Sequence, residues 1–203
     1  MTPDAHADPG FAVRAGGWLF RRRTWIPVPL AVALLVLPAT PSPSAWPLAI
    51  GGAIVVLGEA LRLWAVRSIG AISRTRSDRL GPLIQTGPFA FVRNPLYLGN
   101  LLLWTGMAVI ARLVWLVPVV IVLLAIEYGA IVRWEEHLLQ ERRGAEYLAY
   151  AARVPRWTPR IGPRPAGAAA LPQLSWRETL FSERGTLMAI AAALLLLCFK
   201  NLV

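Results

Sequence analysis

The sequence predicts an all-α, polytopic membrane protein with about five transmembrane helices. Of the 203 residues, 56% are hydrophobic and only 16% are charged, and the mean hydropathy is +0.53. Soluble domains of this size are less apolar. The apolar residues gather in separate runs, and 18 of the 21 lysines and arginines lie in three polar segments outside those runs. This division is typical of membrane proteins with several spans.

The chain begins with a polar stretch. We assign residues 1–24 to a cytoplasmic tail and residues 25–203 to a single membrane domain. The first predicted span covers residues 25–39, and the prolines near its start, Pro27 and Pro29, are tolerated in the first turn of a helix. A cleaved signal peptide is the alternative for this region, because three arginines precede a short apolar run.

Four more apolar runs follow. Residues 46–66 are long enough to cross the hydrocarbon core of a bilayer, which is about 30 Å thick. Residues 96–111 and 113–132 are separated only by Arg112, so they predict a helical hairpin formed by the third and fourth spans. Residues 186–202 form the fifth predicted span, and the stretch just before it predicts a separate, short interfacial helix.

The positions of the basic residues orient these spans. Arginines concentrate in the tail, in residues 67–95 and in residues 133–185. With five spans and a cytoplasmic N-terminus, all three segments face the cytoplasm, as the positive-inside rule requires. We therefore predict an integral membrane protein with a cytoplasmic N-terminus, in the inner membrane if the source is bacterial. A net charge of +10 on so apolar a chain indicates membrane loops rather than a nucleic-acid-binding surface.

Several common catalytic chemistries lack their sequence motifs here. Cys198 is the only cysteine, so neither an internal disulfide nor a cysteine-based zinc site is possible. The two histidines, His6 and His137, are far apart in sequence, and no metal-ligand spacing occurs. The chain has no G-x-G-x-x-G, P-loop, G-x-S-x-G or H-E-x-x-H motif. An enzymatic site would therefore be built from helices and their cytoplasmic ends, without a metal.

Two carboxylates lie within the predicted spans, where a charged side chain is costly and indicates a functional site by default. Glu59 has Arg62 three residues further on, so a structural ion pair is an equally good interpretation. Glu127 lies near the cytoplasmic end of its span, and reaching the interface is the alternative for it.

The first segment with candidate chemistry is residues 87–100, which read GPFAFVRNPLYLGN. Asn94 precedes Pro95 and is therefore biased away from the helical region, so it can stand at the start of the third span. Free N–H groups there, together with the fixed charge of Arg93, suit a carboxylate or phosphate. Gly99 lets a ligand or another helix approach closely. The alternative is that Arg93 reaches the interface and Asn94 only caps the span.

The second segment is residues 133–160, which follows the fourth span. Its adjacent carboxylates, Glu135 and Glu136, can bind a ligand ammonium or pair with arginines. Tyr147 and Tyr150 are three residues apart and share one face of a predicted helix. The alternative is a solvated helix face with neighbouring arginines.

Together the two segments resemble the signatures of integral-membrane methyltransferases. The first resembles G-P-[YF]-x-x-x-R-[HN]-P-x-Y-x-G, and EEHLLQERRGAEYLAYAARVPRWTPR resembles E-E-x-x-L-x-x-x-F-G-x-x-Y-x-x-Y-x-x-x-V-P-R-x-x-P. Members of this family include isoprenylcysteine carboxyl methyltransferase and phospholipid N-methyltransferases such as phosphatidylethanolamine N-methyltransferase. The resemblance covers residues 87 to about 160. It implies S-adenosyl-L-methionine as the cofactor, an active site at the cytoplasmic face, and methyl transfer to a membrane lipid or other lipophilic acceptor through a carboxylate, amine, thiol or hydroxyl.

The resemblance also implies roles for individual residues, with Arg93 and Glu136 as the catalytic pair. The implied cofactor-binding residues are Gly87, Pro88, Arg93, Asn94, Pro95, Leu96, Tyr97, Gly99, Glu135, Glu136, Tyr147, Tyr150, Arg153, Pro155 and Arg156. Two positions depart from the family pattern. Asn94 replaces the commoner histidine, which removes a general base but keeps a hydrogen-bond donor. Arg143 replaces a phenylalanine, which changes the local packing.

Two other classes of protein remain compatible with the residues. One is an NADPH-dependent membrane steroid or lipid reductase, which has a similar helical layout. The other is a non-catalytic membrane transporter or scaffold, for which inverted internal repeats would be expected. We see no such repeats between the two halves of the sequence.

Overall fold

The computed structural model describes residues 10–41, 44–70, 83–162 and 173–202, and every regular element within these ranges is a helix. This confirms the all-α prediction. The elements are α1 (Phe11–Arg22), α2 (Val28–Val36), α3 (Trp46–Ile69), a 3-10 turn (Gly87–Ala90), α4 (Pro95–Ile110), a second 3-10 turn (Val114–Leu116), α5 (Val117–Arg143), α6 (Ala145–Arg153) and α7 (Trp176–Lys200). Residues 1–9 of the predicted tail and most of the arginines predicted in the loop after the second span lie outside the described ranges.

Three helical segments of the described chain are long and apolar enough to cross a membrane: Trp46–Ile69, Val114–Arg143 and Trp176–Lys200. They identify an integral membrane protein. The third predicted span forms α4, which is apolar but has 16 residues, and the first forms α2, which has nine. The predicted count of about five spans is therefore approximate. The stretch expected to form a separate interfacial helix is instead the continuous beginning of α7.

The predicted hairpin of the third and fourth spans is present, and it turns at Arg112. This residue has a φ of 58°, in the left-handed region that only glycine adopts without cost. The carbonyl of Arg112 accepts a hydrogen bond from the Thr40 N–H at 3.1 Å, and the Leu113 N–H donates to the Ala108 carbonyl at 3.0 Å. Leu113 is completely buried. The turn is therefore held by its neighbours, although the sequence offers no glycine there.

Helices α3 and α4 pack with their backbones in contact. A Cβ atom built on Gly58 would lie 2.8 Å from the Gly99 carbonyl oxygen, and one built on Gly106 would lie 2.7 Å from the Gly51 carbonyl oxygen. In each helix the two contacting glycines are seven residues apart, about two turns, so they lie on the same face of the helix. Small residues at helix–helix contacts are how membrane helices approach closely.

Helix α7 contacts the rest of the fold at a few points and is otherwise exposed. Within it, only Thr179 and Leu197 are buried. At its beginning, the Arg67 guanidinium donates to the Leu174 carbonyl at 3.1 Å. At its end, Lys200 Nζ donates to the Leu34 carbonyl at 2.6 Å. Most of the apolar surface of α7 is left for contact with lipid.

Candidate functional site

The two segments that the sequence singled out lie side by side. The Arg93 backbone N–H donates to the Pro155 carbonyl at 2.9 Å, and Asn94 Nδ2 donates to the Arg156 carbonyl at 3.1 Å. Asn94 stands at the N-terminus of α4, as predicted, but its side chain makes no capping hydrogen bond to that helix. It joins the start of α4 to the segment after α6 instead.

Glu136 lies at the centre of this junction. Its Oε1 is 3.2 Å from Arg93 Nη1 and 3.1 Å from Arg156 Nε, and its Oε2 is 2.5 Å from Arg156 Nη2. The pairing with Arg156 is bidentate, the geometry in which a guanidinium binds a carboxylate most strongly. This hydrogen bonding raises the pKa of Arg156. Two arginines around one carboxylate leave one positive charge in excess, which suits an anionic ligand group.

Arg93 has a second partner in Tyr147, since its Nη1 donates to the Tyr147 hydroxyl at 3.1 Å. Burial raises the pKa of Tyr147 to about 12, and the negative charge of Glu136 acts in the same direction. The phenol therefore stays protonated at neutral pH. Arg93 Nε is buried and has no hydrogen-bond partner among the described residues. A buried unpaired donor is costly, so this atom is a candidate for ligand contact.

Tyr150 faces the backbone rather than a ligand. Its hydroxyl donates to the Phe89 carbonyl at 2.8 Å, and burial raises its pKa above the ordinary value for tyrosine. The ring of Tyr150 lies 6.4 Å from that of Tyr147. Tyr150 thus holds the 3-10 turn of the first segment against α6.

A pocket of about 360 Å³ opens beside the Glu136 cluster. Its lining residues are Val13, Arg93, Arg133, Glu136, His137, Gln140, Tyr147, Leu148, Ala151 and Arg156. Four of these ten residues are among the site residues predicted from the sequence: Arg93, Glu136, Tyr147 and Arg156. The additional residues of α5 lie three or four positions from Glu136, or next to it, so helical spacing could have identified them. Val13 could not have been found that way, because it comes from the distant helix α1.

Glu135 does not line this pocket. Its Oε1 accepts a hydrogen bond from the Tyr97 hydroxyl at 3.0 Å, and the Tyr97 ring lies 4.9 Å from that of Tyr128. Successive residues of an α-helix point about 100° apart, so adjacent carboxylates on α5 separate. Glu136 faces the pocket, and Glu135 faces α4. The predicted contact of Glu135 with a cofactor stays a prediction.

Residues 46–145 match the family model of phospholipid methyltransferases. Over these residues the chain is similar to this family of membrane proteins. The match includes the first segment, the α4–α5 hairpin and Glu136, and it ends at the beginning of α6. The resemblance expected from the two segments is thereby confirmed.

Three curated relatives match about half of this chain. It is 31% identical over 114 residues (56% of the chain) to nickel-cobalt-cadmium resistance protein NccN of Alcaligenes xylosoxydans xylosoxydans. It is 29% identical over 107 residues (53%) to cobalt-zinc-cadmium resistance protein CzcN of Cupriavidus metallidurans, and 28% identical over 117 residues (54%) to protein-S-isoprenylcysteine O-methyltransferase B of Arabidopsis thaliana. The chain spans about half the length of these relatives, at 50%, 46% and 57% respectively. No solved structure matches it.

The remaining predicted cofactor residues lie outside the pocket lining. Gly87 has a φ of 60° and faces the Ser68 side chain, and Gly99 lies against Gly58 in α3. Arg153 is exposed and donates to the Ala149 carbonyl at 3.0 Å. The other residues in this group are Pro88, Asn94, Pro95, Leu96, Tyr97, Tyr150 and Pro155. These residues shape the segments that carry Arg93 and Arg156, and their direct contact with a cofactor stays a prediction.

Proposed function

We propose that this protein transfers a methyl group from S-adenosyl-L-methionine to a lipophilic or amphipathic acceptor at the cytoplasmic face of the membrane. The match of residues 46–145 to the phospholipid methyltransferase family model supports the reaction class. The observation that carries the proposal is the convergence of Arg93 and Arg156 on Glu136 at one pocket, with Tyr147 hydrogen-bonded to Arg93. Both sequence segments contribute to this cluster, and it joins charges that match those of the cofactor.

The charges of the cluster fit the methionine end of the cofactor, which carries a carboxylate and an ammonium. Arg93 offers its unpartnered Nε to the carboxylate, and the excess positive charge favours the same group. Glu136 offers carboxylate oxygens to the ammonium at the cost of weakening one of its arginine contacts. When bound, the cofactor supplies an electrophilic methyl group on a sulfonium.

The acceptor's apolar part fits the apolar residues of the pocket lining. Val13, Leu148 and Ala151 form the apolar part of the pocket wall. An acceptor with a carboxylate, amine, thiol or hydroxyl could place its tail along this wall and its reacting atom toward the cluster. Its chemical class stays open between a membrane lipid, a prenylated protein and a small hydrophobic molecule.

The chain's own residues act mainly by positioning. In-line transfer to a methyl group needs alignment of donor and acceptor, and alignment can supply a large part of the reduction in barrier. We assign Arg93 and Glu136 to that task. Asn94 contributes by fixing the start of α4 to the Arg156 segment. It cannot act as a general base, since an amide does not titrate.

Ligand binding to the full chain in lipid nanodiscs tests the proposal. A ligand present at 100 times its Kd raises the free energy of unfolding by about 2.7 kcal/mol. We expect S-adenosyl-L-methionine and its demethylated product to raise the melting temperature, and NADPH to leave it unchanged. Absence of stabilisation at millimolar cofactor, or stabilisation by NADPH alone, would reject the proposal.

A methyl-transfer assay with labelled cofactor then identifies the acceptor class. Membrane lipid extract, a prenylated cysteine peptide and a small hydrophobic thiol are the three acceptors to compare. Glu136→Gln should abolish most of the transfer. Glu141→Gln is the matched control, because Glu141 is exposed on the same helix and pairs with His137 at 3.2 Å. Equal transfer by both variants would remove Glu136 from the site.

A further inference from the structure

One face of helix α1 is exposed and takes no part in the proposed reaction. Large aromatic residues stand on it, with Phe11 80% exposed, Trp18 48% exposed and, just beyond the helix, Trp25 75% exposed. Arg21 and Arg22 are exposed between the two tryptophans. At 100° per residue these positions fall on one side of the helix. We name Phe11, Trp18, Arg21, Arg22 and Trp25 the outer stripe.

The inner face of α1 is fixed to α5. A Cβ built on Gly16 would lie 2.1 Å from the Ala130 carbonyl oxygen, so the two backbones touch. The Phe20 ring lies 4.7 Å from the Trp134 ring. The outer stripe therefore has a defined direction, because α1 cannot turn without losing this packing.

The position of α1 along α5 determines how deeply α1 lies in the membrane. From Val114 to Val132 the chain is predominantly apolar, and at 1.5 Å per residue this run covers about 28 Å, close to the thickness of the hydrocarbon core. Arg133 follows at once. Helix α1 contacts α5 at Ala130 and at Trp134, one on each side of the boundary between the apolar run and Arg133. These contacts therefore lie at the level of the lipid headgroups.

We propose that the outer stripe of α1 binds the headgroups of anionic phospholipids in the same membrane. Tryptophan and phenylalanine with arginine are the side chains that an interfacial helix uses, the rings entering the acyl boundary and the guanidinium groups meeting phosphate. The Arg22 guanidinium lies 4.3 Å above the Trp18 ring, which keeps charge and ring together at one depth. The net charge of +10 is complementary to an anionic leaflet.

The proposed contact between lipid and the outer stripe is also connected to the pocket, through α1. Val13 lies on the other side of α1 from the outer stripe and lines the pocket beside Glu136. Lipid bound by the outer stripe therefore holds one wall of the pocket at the headgroup layer. Lipid binding by α1 does not depend on methyl transfer, so its failure and the failure of the proposed function are separate results.

A reporter on α1 tests the proposal in the full chain. An Ala12→Cys variant in a Cys198→Ser background has one thiol, which carries a polarity-sensitive fluorophore next to the outer stripe. The protein in neutral detergent is titrated with a phosphatidylglycerol, with a phosphatidylcholine and with inorganic phosphate. We expect a saturable response to the phosphatidylglycerol alone.

Arg21→Gln with Arg22→Gln is the test variant, and Arg142→Gln with Arg177→Gln is the matched control with the same loss of charge at other exposed positions. An arginine near an anionic surface strengthens association about fivefold, so the test variant should weaken binding of the anionic lipid about 25-fold. The control should stay within about twofold. Equal responses to both lipids, or equal weakening by both variants, would overturn the proposal. A response to inorganic phosphate without one to lipid would also overturn it, in favour of a soluble partner. Thermal unfolding of each variant confirms that the fold is kept.

Discussion

Arg62 of α3 forms an ion pair with Glu183 of α7, and the distance between Nη2 and Oε2 is 2.9 Å. On its other side, Arg62 Nε lies 3.2 Å from Glu59, and its Nη1 also donates to Asn100 of α4. Each of these ionic side chains is little exposed, at 12% for Arg62 and 13% for Glu183. One arginine thus connects three helices inside the bundle, including the otherwise lipid-facing α7.

We predict that Arg62→Leu destabilises the protein by about 3–5 kcal/mol, because it removes the cation with which the buried Glu59 carboxylate pairs. Unfolding in mixed detergent, followed by circular dichroism, measures the change. Glu146→Gln is the control, since Glu146 pairs with Arg143 at 3.7 Å on the surface and such pairs contribute about 0–1 kcal/mol. A loss for Arg62→Leu no larger than that of the control would contradict the role of this cluster.

The same cluster shows which interactions could be predicted from the sequence. The pair of Glu59 and Arg62 was a recognised alternative, because residues three apart on a helix are neighbours. Their partners, Asn100 and Glu183, could not have been named, because which helices meet is decided by packing. The glycines at the α3–α4 contact are a similar case. Gly99 was expected to admit a ligand or a helix, and its neighbour is Gly58.

The residues of the candidate site also divide into those that the sequence predicts and those that it does not. The resemblance of the two segments to family signatures placed Arg93, Glu136 and Arg156 in one expected site, and the structure brings these three residues together. The two segments did not separate Glu135 from Glu136, although helical geometry alone requires that neighbours diverge. The apolar wall formed by Val13 was beyond sequence reasoning, since it depends on how α1 packs against α5.

A methyl group added at the α3–α4 contact should disrupt it. We predict that Gly106→Ala lowers stability by about 1–3 kcal/mol, because its Cβ would lie 2.7 Å from the Gly51 carbonyl oxygen and the helices would have to move apart. Gly52→Ala is the control on the same helix pair, since nothing lies within 4 Å of its Cβ. It should be neutral or stabilising by up to about 1 kcal/mol. Melting temperatures of the two variants decide the matter, and equal shifts would contradict the close contact.

Stability should fall in alkali through Tyr147. Its pKa rises from 10.0 to about 12 on folding, so between these values the folded state holds a proton that the unfolded state has lost. The contribution is complete below pH 10 and is lost as pH rises toward 12, about 2 kcal/mol in all. Tyr147→Phe should therefore show a shallower loss over this range than the parent protein. Denaturant unfolding at several pH values measures both slopes, and parallel curves above pH 10 would contradict the prediction.

Glu135→Gln and Glu136→Gln should differ in their effect on cofactor binding. Glu136 lines the pocket and holds two arginines, whereas Glu135 accepts a hydrogen bond from Tyr97. A hydrogen bond to a charged group contributes about 1.5–3 kcal/mol, so Glu136→Gln should weaken binding of the demethylated cofactor by at least about tenfold. Glu135→Gln should change it by less than about threefold. Calorimetric titration of both variants measures this difference, and a reversed order would move the ammonium contact to Glu135.

Asn94 should affect the rate of methyl transfer without affecting its dependence on pH. The Asn94 side chain donates to the Arg156 carbonyl at 3.1 Å, and this bond fixes the Arg156 segment beside the start of α4. Asn94→Ala removes a hydrogen bond between neutral groups, worth about 1 kcal/mol, so we expect kcat/KM to fall about fivefold. Because neither asparagine nor alanine titrates, the pH profile of kcat/KM should keep its shape and its midpoints. A shifted midpoint in the variant would show that Asn94 tunes the pKa of a titrating group in the site, and positioning alone would then be an insufficient account of this residue.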